Sequence, residues 1–350
     1  MQESNNKKVQ KQNQKISQIL QICLLINAFL IFLAYMARRV KNSDLNYQRF
    51  LTSTIDESTN SSSSWIIIGF TDINYLPIAK IWYKQLTTLG YRNHRLIALD
   101  EKTLETCQSE KIRVSKSSKY FNKNKMSFIK LWPIRIETVY QFLTGSHVVD
   151  FKNIPKNVFI SDVDTIWVKY LDLDQISSWN SNKYSIDSYH GTGRNFPPEF
   201  YKKYHFVIAG GIAGFKSNKN TLKLFEMMRK QCQITAKSIG PGCDDQRTIN
   251  MLFLYKYKFE FEKISFITTK NHSRIGNAKN RNLTSLIFDD QNLVIRGTFD
   301  EFDFDQRCAS INDEIKPWIV SPNSGAKTIE SKIRMFQKIK NCFEPNVLEL

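Results

Sequence analysis

Three features of this 350-residue sequence predict an α/β fold with a largely parallel sheet. Short β-branched runs alternate with helix-length amphipathic stretches, glycines close several of those stretches, and a buried-type mid-chain run ends in two carboxylates. Strands that alternate with helices imply crossover connections, and these join parallel strands.

Trp65 to Phe70 is an apolar run suited to a strand buried on both faces, with Thr71 and Asp72 at its carboxyl end. Residues 74 to 89 then carry Leu76, Ile78, Ala79, Trp82 and Leu86 at helical spacing, with Gly90 as the cap. Arg95 to Leu99 and Ile112 to Ser115 read as the next strands, with a weak helix between them. Met126 to Leu143 is a long helix that carries Lys130 and Arg135 and is closed by Gly145. Val158 to Ile160 is the fourth strand and runs into Asp162 and Asp164. Period-2 geometry places these two acids on one side of the backbone. Adjacent carboxylates repel unless a cation lies between them, and oxygen ligands of this kind suit Mg²⁺ or Mn²⁺. Two solvated loop acids are the plainer alternative.

Beyond the acids, Lys183 to Tyr189 and Val207 to Phe215 read as strands. Gly210 and Gly211 inside the second mark either a close backbone approach or a bulge. Thr221 to Gln233 is an amphipathic helix, Gly240-Pro241-Gly242 a turn, and Asp244 or Asp245 with Gln246 opens a further helix, where an N-cap is the default role for an acid. Tyr257 to Thr268 reads as a strand or hairpin and residues 270 to 312 as irregular. A final strand and turn from Trp318 to Gly325 leads into a basic helix, Ile329 to Ile339.

The amino end has a different character. Residues 1–18 are polar and basic, and Ile19 to Ala37 is apolar and roughly 28 Å long as a helix, close to the ~30 Å hydrocarbon core. We expect a signal-anchor at 19–37 with a cytoplasmic tail before it, a Ser/Thr/Asn-rich stem at 38–64, and a catalytic domain at 65–345. The sequons at Asn60, Asn271 and Asn282 favour a lumenal carboxyl portion. Cys232 and Cys243 bracket the Gly-Pro-Gly turn and are the first choice for a disulfide, with buried thiols as the alternative. The formal net charge is +17. Lys111 to Lys130 contains no acid and suits either an approach path for an anion or a solvated face. No helix-turn-helix, zinc-finger or RNA-binding signature accompanies the charge, so nucleic acid is not expected as a partner.

Taken in order, Phe159-Ile160-Ser161-Asp162-Val163-Asp164-Thr165-Ile166-Trp167, Gly210-Gly211 in a strand, Asp245-Gln246 at a helix start, and Pro322-Asn323-Ser324-Gly325 before a Lys-rich helix resemble the nucleotide-diphospho-sugar transferases of the GT-A fold. The resemblance implies a Rossmann-like, mostly parallel central sheet with helices on both faces. It also implies a type II Golgi or ER membrane enzyme that moves a sugar from a nucleotide-sugar donor to an acceptor hydroxyl on a glycan or glycoprotein, with Mn²⁺ (or Mg²⁺) and with retention. Asp162 and Asp164 match the family's DxD, which holds the metal. Asp245 and Gln246 match the pair that faces the transferred sugar. Thr71, Asp72, Lys130, Arg135, Gly210, Gly211, Asn323 and Lys327, together with Asp162, are the expected donor contacts, with Lys130, Arg135 and Lys327 or Lys332 as cationic clamps on the phosphates. Two positions depart from the pattern: Ala209-Gly210-Gly211 replaces Asn-x-Gly, and Ser321 stands where many relatives place a metal-binding His. A haloacid-dehalogenase-type phosphatase, which also carries an Asp-x-Asp after a strand, and a non-catalytic carbohydrate-binding relative are the alternatives. In the phosphatases the motif opens the domain and Thr or Val stands at the position of Ile166.

Overall fold

The computed structural model describes residues 64–117, 128–146, 157–178, 181, 183, 185–193, 196–238, 243–265, 272–279, 282–288, 294–297, 319–322 and 328–343. The expected signal-anchor, the stem up to residue 63, the Gly-Pro-Gly turn, Asn60, Asn271, Asn323 and Lys327 lie outside these residues, and only the place of Lys130 on its helix is described. No helix among the described residues is long and apolar enough to cross a membrane.

Strand β1 (Trp65–Thr71) leads into helix α1 (Leu76–Thr88), β2 (His94–Ala98), α2 (Glu101–Ser109), β3 (Val114–Lys116), α3 (Phe128–Thr144) and β4 (Asn157–Ser161). Then follow β5 (Ile166–Trp167), α4 (Leu173–Ser178), β6 (Ser188–Gly193), α5 (Pro198–Tyr204), β7 (Val207–Lys216), α6 (Lys219–Ser238) and α7 (Asp245–Met251). Helix α7 continues as a π-helical turn over Leu252–Lys256. The chain ends with β8 (Phe259–Ser265), β9 (His272–Ala278), β10 (Thr284–Ile287), β11 (Val294–Gly297), β12 (Ile319–Pro322) and α8 (Ile329–Phe343).

A nine-stranded sheet has the order β3-β2-β1-β4-β7-β6-β10-β9-β8, and β11-β12-β5 form a second sheet of three. The pairs β1–β2, β1–β4, β2–β3 and β6–β10 are parallel, whereas β7 opposes both β4 and β6, and β9 opposes both β8 and β10. Among the described strands of the large sheet, only β7 and β9 therefore run against the rest, and the expected mostly parallel α/β sheet is observed. β1 shows why helices cover both faces. Trp65 and Ile67 belong to one core cluster with Leu76, Trp82 and Leu96, while Ile66 and Ile68 belong to another with Ile136, Val139 and Leu224. Each such fully buried side chain contributes roughly 1.5–3 kcal/mol.

The reading from β1 to β4 holds to within a few residues, and Gly90 and Gly145 take the positive φ that a closing glycine supplies. Cys232 and Cys243 are disulfide-bonded, with their Cα atoms 4.9 Å apart. Two readings need correction. The strand expected at Lys183–Tyr189 begins only at Ser188 and runs to Gly193. Residues 270–312, expected to be irregular, contribute β9, β10 and β11.

Candidate functional site

Open parallel sheets place ligands beyond the carboxyl ends of their strands, and here β1 and β4, adjacent and in register from Trp65↔Asn157 to Ile68↔Ile160, end side by side. β4 stops at Ser161, so Asp162 and Asp164 sit in the turn after the strand and not within it. Their spacing has another origin than strand pleating. Val163 between them is buried beneath Gly69, where an added Cβ would come 2.6 Å from its Cγ1. The turn is pinned by Ser161 Oγ, which accepts from Trp82 Nε1 and Trp167 Nε1, both at 3.0 Å, and lies 2.7 Å from Thr165 Oγ1. Thr165 Oγ1 in turn donates to Asp162 O at 2.6 Å. With the middle residue plugged inward, both acids are left partly exposed.

Each acid meets its own cation. Arg135, buried on α3, donates from Nη1 to Asp162 Oδ1 at 3.0 Å and from Nη2 to Gly210 O at 2.5 Å. Its Nε lies 3.1 Å from Asp245 Oδ2, an ion pair without hydrogen-bond geometry. One guanidinium thus ties the end of β4, the middle of β7 and the start of α7 together. Burial works against its charge, but Asp245 and Asp162 outweigh burial, so its pKa is raised. Burial also lifts the Asp245 carboxyl; Arg135 opposes the lift, Asp244 and Asp162 reinforce it, and the result is about 6.

The paired glycines make this arrangement possible. A Cβ on Gly211 would come 1.6 Å from Asp162 Oδ2, and one on Gly210 would come 2.9 Å from Asp245 Oδ1. Both readings of Gly210-Gly211 find a counterpart: the β6–β7 register shifts between His190↔Ala213 and Thr192↔Ile208, so the two glycines lie in an irregular stretch of β7, and the close approach that the structure shows is to the chain's own carboxylates. Gln246 accepts from Gly210 N through Oε1 at 3.2 Å and donates from Nε2 to Phe196 O at 2.7 Å. Asn250, one turn on, pairs with both backbone groups of Ile208 at 2.9 and 2.8 Å and so fixes α7 against β7. The N-cap of α7 is Asp244, which accepts from Arg247 N at 2.7 Å, leaving Asp245 to face Arg135.

On the other side, Lys332 of α8 places Nζ 2.6 Å from Asp164 Oδ2. It also donates to the Tyr75 hydroxyl, which itself donates to the same Asp164 oxygen at 3.1 Å. Burial lowers the Lys332 pKa, but Asp164 and Tyr75 overcome it and hold the ammonium above its ordinary value. Burial and then Asp164 push Tyr75 up to about 12. Thr71, buried at the end of β1, donates to Asp72 O at 3.1 Å, and Asp72 Oδ1 accepts from Tyr75 N at 2.9 Å. The β1–α1 loop therefore joins the expected donor contacts Thr71 and Asp72 to Asp164 through Tyr75. Tyr75 and Asn250 escaped the sequence reading, since a tyrosine in a loop and an asparagine in a helix carry no motif.

Asp162 and Asp164 are the described residues that could hold a divalent cation. Their side chains are 29% and 25% exposed, and a pair of carboxylates suits a hard ion whose shell is completed by substrate oxygens and water. No group of three or more His, Cys, Asp or Glu side chains that could hold a metal occurs among the described residues. The position of the missing His is in β12, where Ser321 pairs with Arg296 of β11.

The fold and this site define an α/β protein with a cluster of carboxylates and cations beyond the carboxyl ends of its first parallel strands. A model of the nucleotide-diphospho-sugar transferases matches residues 90–336, and the chain belongs to that family. No curated protein matches it. Among solved structures, the glycosyltransferase GlyE of Streptococcus pneumoniae TIGR4 superposes with a TM-score of 0.40 at 12% identity, over 78% of this chain and 60% of that one. The bifunctional glycosyltransferase WbbM gives a TM-score of 0.33 at 13% identity, over 56% of this chain and 38% of that one. The chain thus spans less than two thirds of either, and we carry nothing from them to it.

Proposed function

We propose that this chain is a glycosyltransferase, which moves a sugar from a nucleoside-diphosphate donor to a glycan or glycoprotein hydroxyl with retention, using Mn²⁺ or Mg²⁺ held by Asp162 and Asp164. The observation that carries the reading is the Arg135 bridge, which sets Asp162 and Asp245 on opposite arms of one guanidinium at the sheet's carboxyl edge. A bound divalent ion supplies Lewis-acid stabilisation of the departing diphosphate. The chain's own residues do the rest. Arg135 holds both carboxylates in place, and Lys332 would offer its ammonium to phosphate oxygens beside Asp164. Asp245 and Gln246 face the transferred sugar, and Asp245 is the chain's candidate nucleophile. Thr71 and Asp72 take the nucleoside, with Lys130, Asn323 and Lys327 as further donor contacts.

Localisation in the Golgi or ER membrane, type II with a lumenal catalytic domain, is part of the same proposal. It rests on the apolar segment 19–37 and on the sequons, of which Asn282 is exposed. Membership of the transferase family sets aside the phosphatase alternative.

The test is a donor screen of the purified full-length chain with Mn²⁺, reading released nucleoside diphosphate. Activity on at least one nucleotide sugar that is lost with EDTA and in Asp162→Ala and Asp164→Ala is expected. Full activity in either variant removes the metal assignment.

A further inference from the structure

We infer that Lys332 is a built-in occupant of the cation position at Asp164, which a bare divalent ion displaces poorly and which passes to the donor diphosphate when metal and donor enter together. The inference rests on the reading of Asp162 and Asp164 as the metal site.

The ammonium is delivered by a fixed element. Phe336 and Ile339 of α8 are buried against Ile78, Ile166 and Val320, and Lys332 lies one turn before Phe336 on the same face. Its target is a single oxygen, Asp164 Oδ2, at 2.6 Å, which is one of the atoms an incoming ion needs. Tyr75 helps to hold it there, since its hydroxyl hydrogen-bonds both Asp164 and Lys332.

Charge decides the order of events. Asp164 and Lys332 form a neutral pair. A dication alone leaves that pair two units positive and meets the Lys332 ammonium at its own ligand. A diphosphate arriving with the ion offsets the added charge and offers oxygens to Lys332 as Asp164 turns to the metal. Each ligand then raises the affinity for the other, and by linkage the enhancement is reciprocal. Metal and donor binding in this enzyme are coupled through Lys332.

The experiment is Mn²⁺ titration of the full-length chain by the paramagnetic signal of free Mn²⁺, followed by binding of uridine and guanosine diphosphates at fixed Mn²⁺. Lys332→Met keeps the aliphatic stem and removes the charge. It should bind Mn²⁺ alone at least about tenfold tighter than wild type, because one neighbouring positive charge is gone, yet bind the diphosphate more weakly. Lys332→Arg should retain the wild-type Mn²⁺ affinity. Thermal melting checks the fold, with Lys332→Gln as the second neutral variant. Unchanged Mn²⁺ affinity in both neutral variants, while Asp164→Asn abolishes it, overturns the inference and leaves the metal site standing. If Asp162→Asn and Asp164→Asn both bind Mn²⁺ as wild type does, the metal site and the inference fall together.

Discussion

Arg135 and Lys332 each neutralise one member of the acid pair, yet they are held in opposite ways. Arg135 is walled in, 4% exposed at its side chain, and its guanidinium is shared among three elements of the central sheet and its helices. Lys332 is 20% exposed and reaches in from one helix, and its side-chain partners among the described residues are Asp164 and Tyr75. A guanidinium with a planar fork of donors suits a fixed junction, and a flexible ammonium suits an exchangeable contact. One half of the site is therefore foundation and the other half is adjustable.

The sharpest way to break this comparison is to remove the foundation. Arg135→Met removes the cation that faces the buried Asp245, and breaking a buried ion pair typically costs about 3–5 kcal/mol. We expect that loss in the denaturant midpoint, together with loss of transfer activity. Lys332→Met should cost about 1 kcal/mol or less, as more exposed ion pairs do. Equal destabilisation by the two variants removes the distinction.

Gly211→Ala attacks the same half without touching a charge. The new methyl would overlap Asp162 Oδ2, 1.6 Å from the Cβ position, and either the carboxylate or β7 must move. A displacement of about 1 Å near reacting groups can cost on the order of a hundredfold in rate. We expect kcat/KM to fall by that order; activity within twofold of wild type means that Asp162 is not held where the transfer needs it.

The two halves also differ in how far the sequence announces them. β1 to β4 and their helices are legible because both faces of each strand are buried, so apolar runs such as Trp65–Ile68 stand out. The later strands are not. β6 reads Ser-Tyr-His-Gly-Thr-Gly and β9 reads His-Ser-Arg-Ile-Gly-Asn-Ala, with neither an apolar run nor clean alternation. Pairing with β7, β8 and β10 makes them strands, and tertiary pairing overrides propensity. At the site, the acid pair, Asp245-Gln246 and the glycines carry local signals. The Arg135 bridge does not, because helix periodicity says nothing about an ion pair to residues 27 and 110 positions away. Lys332 is legible only as an alternative to Lys327 for a cationic clamp on the phosphates, and its pairing with Asp164 depends on how α8 docks.

Titration sharpens the comparison further. Asp245 stands at about 6 against an ordinary 3.8. A carboxyl raised in the folded state favours its neutral form. Its contribution to stability is complete below pH 3.8 and is lost as pH rises through 6. Activity has the opposite sign, because the proposed role needs the ionised carboxylate. We expect log kcat/KM to climb through about pH 6 and then level, and this limb to vanish from the residual activity of Asp245→Asn. An unchanged limb in that variant assigns it to another group.

The smallest effect is expected from Tyr75→Phe, and it tests the adjustable half alone. The substitution removes one hydrogen bond to Asp164 and one acceptor for Lys332, while the ion pair at 2.6 Å keeps both charges partnered. With a pKa of about 12, the Tyr75 hydroxyl stays protonated across the working range, so no charge is lost with it. A hydrogen bond to a charged group nets about 1.5–3 kcal/mol; with the ion pair still in place the lower end applies, and at 1.4 kcal/mol per decade kcat/KM should drop by about tenfold. The melting temperature should scarcely move, because the phenyl ring still packs under the Lys332 ammonium, 4.9 Å from its centroid. If Tyr75→Phe is instead as damaging as Arg135→Met, the hydroxyl is part of a second rigid junction, and the contrast between a fixed and an exchangeable cation fails at its weaker end.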